Sequence, residues 1–369
     1  MSILKKINKL RMTLLRRIAA NIGVSRAKKN TSLNNKIEVN RVLISRPNNR
    51  LGNLLLITPL VDEIMRTFPN SKIDLFVKGG VATELFKNYS AIDKIIQLPK
   101  KPFKNLIKYI FTWISIRKKY YDLVINVVNY SSSGRLSTQF ARSKYKFFGE
   151  SGNDLNLKYN DHQHIAKNPV YSFRDYLSEM GYVENNEKVP SLNLRLSDLE
   201  MAKGRDLLCK LVPNDKATIC LFTYATGDKC YSESWWAIFY EKLKLKYPDY
   251  NIIEVLPVEN VSQIEFNAPS FYSKDIREVG SLIANTNVFI GADSGIMHLA
   301  SAVQIPTVGL FSRDNIKTYE PYDNGSIAIN TNEGKVDEWI KIIDKVINEN
   351  ASKRKGIVRE LFPYHGECM

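Results

Sequence analysis

The sequence predicts an α/β fold made of two doubly wound domains in tandem. Short apolar runs rich in β-branched residues alternate with stretches of helical periodicity, first over residues 40–130 and again from residue 217 onward. Such alternation is typical of a parallel sheet with helices on both faces. The chain has 369 residues, 44% of them hydrophobic, which suits two domains of roughly 150 residues each. Ligands of such sheets bind at the carboxyl ends of the strands, and two facing domains would enclose a cleft.

The first block follows a strand–helix alternation. Strands are predicted at 40–47, 71–80, 92–99 and 122–130, and helices at 60–69, 81–89 and 103–121. The run at 122–130, "DLVINVVNY", is apolar from Leu123 to Val128 apart from Asn126, as expected of a strand buried on both faces. Residues 149–190 show no clear pattern beyond a helix-like segment at 171–182.

A linking strand near 192–196 and a helix beginning at Ser197 or Asp198 lead into the second block. Strands are predicted there at 217–225, 250–257, 287–295 and 306–312, and helices at 233–248, 274–286, 296–304 and 336–352. The predicted domains are a basic amphipathic extension (1–38), an N-terminal domain (39–195), a C-terminal domain (196–350) and a basic tail (351–369).

The charge balance predicts a polyanionic partner. Lys and Arg number 53 against 38 Asp and Glu, a net charge of +15. Such a partner could be nucleic acid, an anionic membrane or a phosphorylated substrate. Nucleic acid is not expected, because only the bulk charge supports it. Residues 1–30 place apolar side chains at helical spacing among Lys and Arg without one acid. This predicts a basic amphipathic helix that could lie on an anionic membrane; the alternatives are a helix packed on the protein's own body and a frayed extension.

The four cysteines do not predict a metal site. Cys209, Cys220, Cys230 and Cys368 form no C-x-x-C pair and have no histidine cluster nearby, so reduced thiols and a cytosolic location are expected. No run of about 18 apolar residues predicts a spanning helix. Neither a metal nor a cofactor is expected.

The most informative stretch is "NVFIGADSGIMHLASAVQIPTVGLFS", residues 287–312. A buried strand ends near Gly291, and the turn that follows opens a helix carrying His298. Small residues at a helix start let a phosphate approach the backbone N–H groups. Ser294 is expected to cap the helix or bond a phosphate, whereas the charge of Asp293 suits a hydroxyl; the alternative is that Asp293 is the N-cap and His298 only packs.

A second loop, "TYATGDKCYSESWW", also joins a strand to a helix. Thr223, Thr226 and Lys229 are expected to hold a diphosphate there, with Lys229 as the point charge. For any single lysine, a plain surface position is the alternative. Near the start of the chain, "RLGNLLLITP" places Gly52 and Asn53 between a strand and a helix.

Taken together, these motifs resemble glycosyltransferase family 9, the heptosyltransferases of lipopolysaccharide core assembly. The resemblance runs from about Asn40 to Asn348, through R-x-G-N-x-L-x-x-T-P, the lysine loop before W-W, G-A-D-S-G-I-M-H-L-A and P-T-V-G-L-F. It implies a GT-B fold of two facing Rossmann-like domains. It also implies an inverting, metal-independent transfer of heptose from ADP-heptose to a core acceptor, at the inner face of the inner membrane.

The resemblance assigns roles to individual residues. The donor side would comprise Thr223, Thr226, Lys229, Asp293, Ser294, Gly295 and His298, with Glu259 on the nucleoside. The acceptor side would comprise Gly52, Lys78 and Arg135. The family's aspartate, its proposed general base, is replaced here by Asn53, whose amide cannot take up a proton at neutral pH. Asn53 then either orients the acceptor while another carboxylate removes the proton, or stabilises the transfer by hydrogen bonds alone, or merely caps a helix in an inactive protein.

Two other functions stay open at this stage. A nucleotide-sugar 2-epimerase shares the two-domain architecture but needs no acceptor and no membrane-directed N-terminus. A catalytically inactive, glycan-binding homologue would bind the donor without turnover. A nicotinamide oxidoreductase and a P-loop nucleotidase are disfavoured, because G-x-G-x-x-G and G-x-x-x-x-G-K-[ST] are absent. The sequence identifies neither the exact donor sugar nor the acceptor hydroxyl, nor the oligomeric state.

Overall fold

The computed structural model describes residues 22–25, 38–152 and 154–361, without the side chains of Phe103 and residues 351–361. Most of the basic extension predicted at 1–38 therefore lies outside the described residues. Contacts divide the chain into two compact units, Met1–Pro190 (unit 1) and Ser191–Met369 (unit 2). None of the described helices is long and apolar enough to cross a bilayer.

Unit 1 is built around a parallel sheet of five strands in the order β3-β2-β1-β4-β5. The strands are β1 Arg41–Arg46, β2 Lys72–Lys78, β3 Ile92–Leu98, β4 Tyr120–Asn126 and β5 Arg142–Phe147. The helices are α1 Leu51–Leu55, α2 Thr58–Thr67, α3 Val81–Leu85, α4 Leu106–Lys118, α5 Ser132–Phe140, α6 Leu155–Lys158 and α7 Asn168–Glu179.

The central strand of unit 1 is β1, as its apolar sequence requires. Val42, Leu43 and Ile44 are fully buried, and β1 pairs on one side with β2 and on the other with β4. The order of strands therefore reverses between β1 and β4. All four strands predicted in the first block are confirmed, whereas α5 and β5 were not anticipated.

Unit 2 repeats the architecture with six parallel strands in the order β11-β10-β9-β6-β7-β8. The strands are β6 Thr218–Phe222, β7 Asn251–Val255, β8 Ser270–Phe271, β9 Val288–Ala292, β10 Thr307–Phe311 and β11 Ile327–Asn330. The helices are α8 Asp198–Leu211, α9 Glu233–Lys246, α10 Ile276–Ala284, α11 Gly295–Ala302, α12 Ile316–Tyr319 and α13 Val336–Leu361. Read from β8, this is the doubly wound order 3-2-1-4-5-6, reversing between β6 and β9.

Three expectations for the second half of the chain can be judged. Helix α8 begins where predicted, because Ser197 and Glu200 form a capping box. The strand expected near 192–196 is wrong: the Leu194 N–H bonds the Ala302 carbonyl at the end of α11, and these residues join no sheet. The last helix, α13, extends past the predicted end at residue 352 to Leu361 and so includes part of the stretch expected to be a patternless tail.

A buried ion pair fastens α7 to α2 inside unit 1. The Arg174 guanidinium donates from Nε and Nη2 to the two carboxylate oxygens of Glu63, each at 2.8 Å. The side chains are 3% and 1% exposed. The amide of Asn185 donates to the same carboxylate at 2.9 Å. A buried charge that loses its partner is strongly destabilising, because its desolvation is no longer compensated.

We expect Arg174→Met to lower the free energy of unfolding by about 3–5 kcal/mol, measured by urea denaturation. The matched control is Arg66→Met, which removes an exposed ion pair to Glu187 with an N–O distance of 3.8 Å. That substitution should change the free energy by less than about 1 kcal/mol. Equal losses in the two variants would show that the Glu63–Arg174 pair does not hold α7 in place.

Candidate functional site

The site lies in unit 2, where the strand order reverses between β6 and β9. The two strands are hydrogen-bonded neighbours, with Phe222 opposite Gly291, so the loops that follow them leave the sheet side by side. Ligands of doubly wound sheets bind at this position, outside the carboxyl ends of the strands. The loops after β10 and β11 reach the same edge.

An ion pair joins the two central loops. The Lys229 ammonium lies 3.2 Å from the Asp293 carboxylate, and the Asn315 side-chain amide donates to that carboxylate at 3.0 Å. Lys229 follows β6, Asp293 follows β9 and Asn315 follows β10. The Asp293 side chain is 8% exposed and that of Lys229 is 24% exposed, so the carboxylate is the more deeply buried partner of the pair. The structure therefore brings together the lysine and the acid that the sequence singled out.

The lysine loop is shaped by a tight turn. A 3₁₀ turn spans Gly227–Lys229, and Gly227 has a φ of +71°, which side-chain-bearing residues rarely adopt. Asp228 in the turn forms an ion pair with Arg313 of the β10 loop. Beyond it, the Tyr231 hydroxyl lies 2.7 Å from the Thr331 hydroxyl after β11. Four loops are thus tied to one another around Lys229.

Ser294 caps helix α11. Its hydroxyl accepts the Met297 N–H at 3.2 Å, while Gly295 occupies the first helical position. The alternative that Asp293 is the N-cap is therefore wrong, and its carboxylate instead belongs to the ion pair. The first N–H groups of a helix have no partner within it, so a small residue such as Gly295 leaves them approachable by an anion.

His298 lies one turn into α11 and is buried, 4% exposed. Its ring centroid is 6.3 Å from that of Tyr319 in α12. The structure thus places it behind the helix start rather than on the surface of the site.

The two threonines of the lysine loop differ in their surroundings. Thr226 is exposed and directly precedes the 3₁₀ turn. Thr223 is buried; its hydroxyl donates to Glu254 at 2.5 Å and accepts the Gln263 N–H at 3.1 Å. Of the predicted diphosphate residues, Lys229 and Thr226 face the site's surface and Thr223 supports the loop from below.

Glu254 was missed by the sequence analysis. It lies in β7, fully buried, and accepts hydrogen bonds from Thr223 and from Ser262 at 2.7 Å. Burial raises the pKa of its carboxyl, although both hydroxyls act to lower that pKa. The available signal was a single acid inside the apolar run "NIIEVL". Glu259, predicted on the nucleoside, is exposed in the loop after β7.

In unit 1, Gly52 and Asn53 lie inside α1, the short helix that follows β1 at the reversal between β1 and β4. Gly52 is buried and Asn53 is half-buried. Arg50 is the N-cap of α1 and Ile57 that of α2. The capping alternative for Asn53 is therefore wrong. Lys78 ends β2 at the same edge of the sheet, where its backbone N–H bonds the Asn48 carbonyl at 3.2 Å.

Arg135, predicted to contact an acceptor, is buried in α5 and 3% exposed. Its guanidinium donates to the Ile22 carbonyl at 3.2 Å, the Gly23 carbonyl at 2.5 Å and the Asn129 side chain at 2.6 Å. The group also stacks over the Phe148 ring. Arg135 is therefore buried against residues 22–23, which it binds by hydrogen bonds, and does not lie at an accessible edge of the sheet.

The chemistry available around Lys229 is that of anion binding. One ammonium, the start of α11 and the hydroxyl of Thr226 line a single edge, with Asp293 supplying an acceptor. Among the described residues no group of three or more His, Cys, Asp or Glu could hold a metal ion.

Comparison with known proteins identifies related chains. Residues 273–341 match the family model "Glycosyltransferase family 9 (heptosyltransferase)", a range that includes Asp293, Ser294 and His298. A lipopolysaccharide heptosyltransferase 1 of Campylobacter coli is 24% identical over 311 residues, covering 75% of this chain and 86% of that protein.

Two of the solved structures that are similar to this chain show the extent of the likeness. One is a family 9 glycosyltransferase of Veillonella parvula, with a TM-score of 0.66 and 16% identity over 85% of this chain and 99% of that one. The other is the E. coli heptosyltransferase WaaC with ADP, with a TM-score of 0.61 and 16% identity over 83% and 99%. At such identities the likeness establishes the fold, and the predicted GT-B class is confirmed.

The buried Glu254 gives the site a pH signature. The pKa of the Glu254 carboxyl is higher in the folded state than in the unfolded state, so the folded state keeps the proton up to a higher pH. The free energy of unfolding therefore falls as pH rises between the two pKa values. One proton accounts for at most about 1.4 kcal/mol per pH unit. We expect Glu254→Gln to remove this slope in denaturation series from pH 4 upward. The exposed Glu259→Gln is the control, and a wild-type slope in Glu254→Gln would contradict the assignment.

Proposed function

We propose that this chain, a glycosyltransferase of family 9, transfers a heptose or related sugar from a nucleotide-sugar to a lipopolysaccharide core acceptor with inversion. The observation that carries the proposal is the Lys229–Asp293 pair, 3.2 Å apart, at the strand-order reversal of unit 2 beside the start of α11.

The donor fits this edge through its diphosphate. The Lys229 ammonium has three N–H donors. The Asp293 carboxylate takes up one of them, so the others can donate to phosphate oxygens. The start of α11 adds backbone N–H groups and a favourable dipole. Asp293 repels phosphate but accepts a hydroxyl, so it suits the sugar or ribose. ADP-heptose is the first donor to consider, because a relative is named a heptosyltransferase and a structural neighbour was solved with ADP.

The acceptor belongs to unit 1. The end of β1, helix α1 with Asn53, and Lys78 at the end of β2 lie at one edge of that sheet, again at a reversal of strand order. A lipopolysaccharide core is rich in phosphate and carboxylate and is anchored in a membrane. The net charge of +15 and the acid-free residues 1–30 suit a protein that works peripherally on the inner face of the inner membrane.

The direct test supplies purified protein with ADP-heptose and truncated core acceptors and follows the product by mass spectrometry. Acceptor-dependent addition of one sugar supports the proposal. Conversion of the nucleotide-sugar in the absence of acceptor would indicate the epimerase instead. Donor binding without either reaction would indicate an inactive glycan-binding homologue.

Lys229→Ala should weaken donor binding by roughly ten- to a hundredfold, because a charge-assisted hydrogen bond to a phosphate contributes about 1.5–3 kcal/mol. Calorimetry with ADP measures the effect. Lys242→Ala is the matched control, since Lys242 is a half-exposed lysine of α9 that pairs with Asp337. If Lys229→Ala binds ADP as the control does, Lys229 does not contact the diphosphate.

Asn53 occupies the position of the family's aspartate, and its role follows from its chemistry. An amide oxygen accepts a hydrogen bond from the hydroxyl of the acceptor sugar but does not remove its proton. Proton removal by a general base typically raises the reaction rate 10²–10⁴-fold. Since Asn53 caps neither α1 nor α2, we propose that it orients the acceptor hydroxyl while a carboxylate elsewhere removes the proton.

The pair Asn53→Ala and Asn53→Asp tests this role. We expect Asn53→Ala to lose transfer at least tenfold while ADP affinity stays unchanged, because the residue acts on the acceptor. Wild-type transfer rates in Asn53→Ala would eliminate the role. Activity gained only in Asn53→Asp, from an inactive wild type, would show that the natural chain lacks its base.

A further inference from the structure

Helix α4 of unit 1 exposes a continuous apolar surface. Five large side chains share it: Leu106, Ile107, Ile110, Phe111 and Ile114, which are 54%, 73%, 48%, 64% and 37% exposed. We call these five residues the α4 surface. Single exposed apolar residues are ordinary, but a contiguous group on one helix marks an interaction site.

The orientation of α4 is fixed by its other face. At about 100° per residue, the α4 surface covers an arc of roughly 140° of the helix. Tyr109, Trp113 and Ile116 lie outside that arc and pack on the core of the sheet. The Trp113 ring meets Phe76 of β2 edge-to-face at 5.4 Å. The apolar side chains of the helix therefore extend well beyond the part that packs within unit 1.

The segment around α4 is strongly basic. Residues 94–121 contain eight Lys and Arg and no acid: Lys94, Lys100, Lys101, Lys104, Lys108, Arg117, Lys118 and Lys119. Lys104 and Lys108 lie exposed beside the first turns of α4, and Arg117 and Lys118 are exposed at its end. The apolar side chains are thus flanked at both ends by positive charge.

We propose that the α4 surface docks on an anionic lipid bilayer. Its apolar side chains enter the boundary between headgroups and acyl chains, and the flanking cations meet the negative headgroups. Charge complementarity selects this occupant over two others. Lys119 is already paired with Asp74 and Asp93, but a second copy of the chain would set Lys104, Lys108, Arg117 and Lys118 against the same four cations. Residues 1–37 carry ten Lys and Arg without an acid.

The proposal rests on the proposed function for its biological setting, because a membrane-anchored acceptor requires the enzyme to reach the bilayer surface. It adds a named docking element in unit 1 that is distinct from the extension at residues 1–30. Vesicle binding alone tests the docking, independently of which sugar the chain transfers.

The experiment measures partition of the full-length chain onto vesicles of phosphatidylglycerol and phosphatidylcholine, and onto vesicles of phosphatidylcholine alone, by flotation. The test variant is Ile107→Ser with Phe111→Ser, the two most exposed members of the α4 surface. The control variant is Leu199→Ser with Leu245→Ser, which are 80% and 78% exposed on helices of unit 2. A third variant, Lys104→Ala with Lys108→Ala, tests the charge.

We expect the test variant to bind anionic vesicles about tenfold or more weakly than the wild type, and the control to bind as the wild type does. The lysine variant should bind more weakly, with a smaller dependence on salt. Unchanged binding by the test variant would overturn the proposal. So would a wild-type dimer that the test variant dissociates in light scattering, because the surface would then join two copies.

Transfer to a soluble, delipidated core acceptor separates this proposal from the proposed function. The test variant should retain that activity, since neither Ile107 nor Phe111 is among the residues assigned to the donor or the acceptor. Vesicle binding by a chain that transfers nothing would leave the docking surface standing and remove the function. Transfer without a difference in vesicle binding between test and control variants would do the reverse.

Discussion

The hydrogen-bonded pairing of β6 with β9 is the constraint on which the candidate site depends. Both strands are buried and run parallel, and their register sets Phe222 opposite Gly291, so each chain leaves the sheet at the same edge. The residues that follow, Thr223 on one side and Asp293 on the other, are therefore neighbours by topology before any side chain contributes. The ion pair, the Ser294 cap and the 3₁₀ turn refine a position that the backbone has already defined.

Unit 1 uses the same backbone solution with different side chains. Its reversal lies between β1 and β4, and the helix placed there carries Gly52 and Asn53 rather than a lysine and an acid. This edge of unit 1 carries the cations Arg50 and Lys78, whereas unit 2 concentrates the ion pairs Lys229–Asp293 and Asp228–Arg313 in adjoining loops. One architecture thus presents the Asn53 amide near cations in one unit and two ion pairs in the other.

The sequence predicted what local periodicity and caps encode. Continuous apolar runs identified β1, β4, β6 and β9, and the Ser197–Glu200 pair located the start of α8. The edge strand β3 was predicted, but two other edge strands escaped detection: β5 alternates Arg and Lys with other residues, and β8 has two residues, so neither carries an apolar signal. Arg135 and Glu254 were misjudged or missed for a different reason. Their partners, the Ile22 and Gly23 carbonyls and the Ser262 hydroxyl, are set by tertiary packing that no sequence window contains.

The carboxylate beneath Lys229 bears on how a ligand leaves as well as how it arrives. Lys229 is not an isolated cation, because the Asp293 carboxylate lies 3.2 Å from its ammonium. Under the proposed function, a diphosphate that enters the site shares the Lys229 ammonium with the Asp293 carboxylate. When the diphosphate leaves, that carboxylate remains as the counterion of Lys229. The net electrostatic gain of binding is smaller than an isolated lysine would give, and the spent nucleotide is held correspondingly less tightly. A residue that moderates affinity in this way favours turnover over product inhibition.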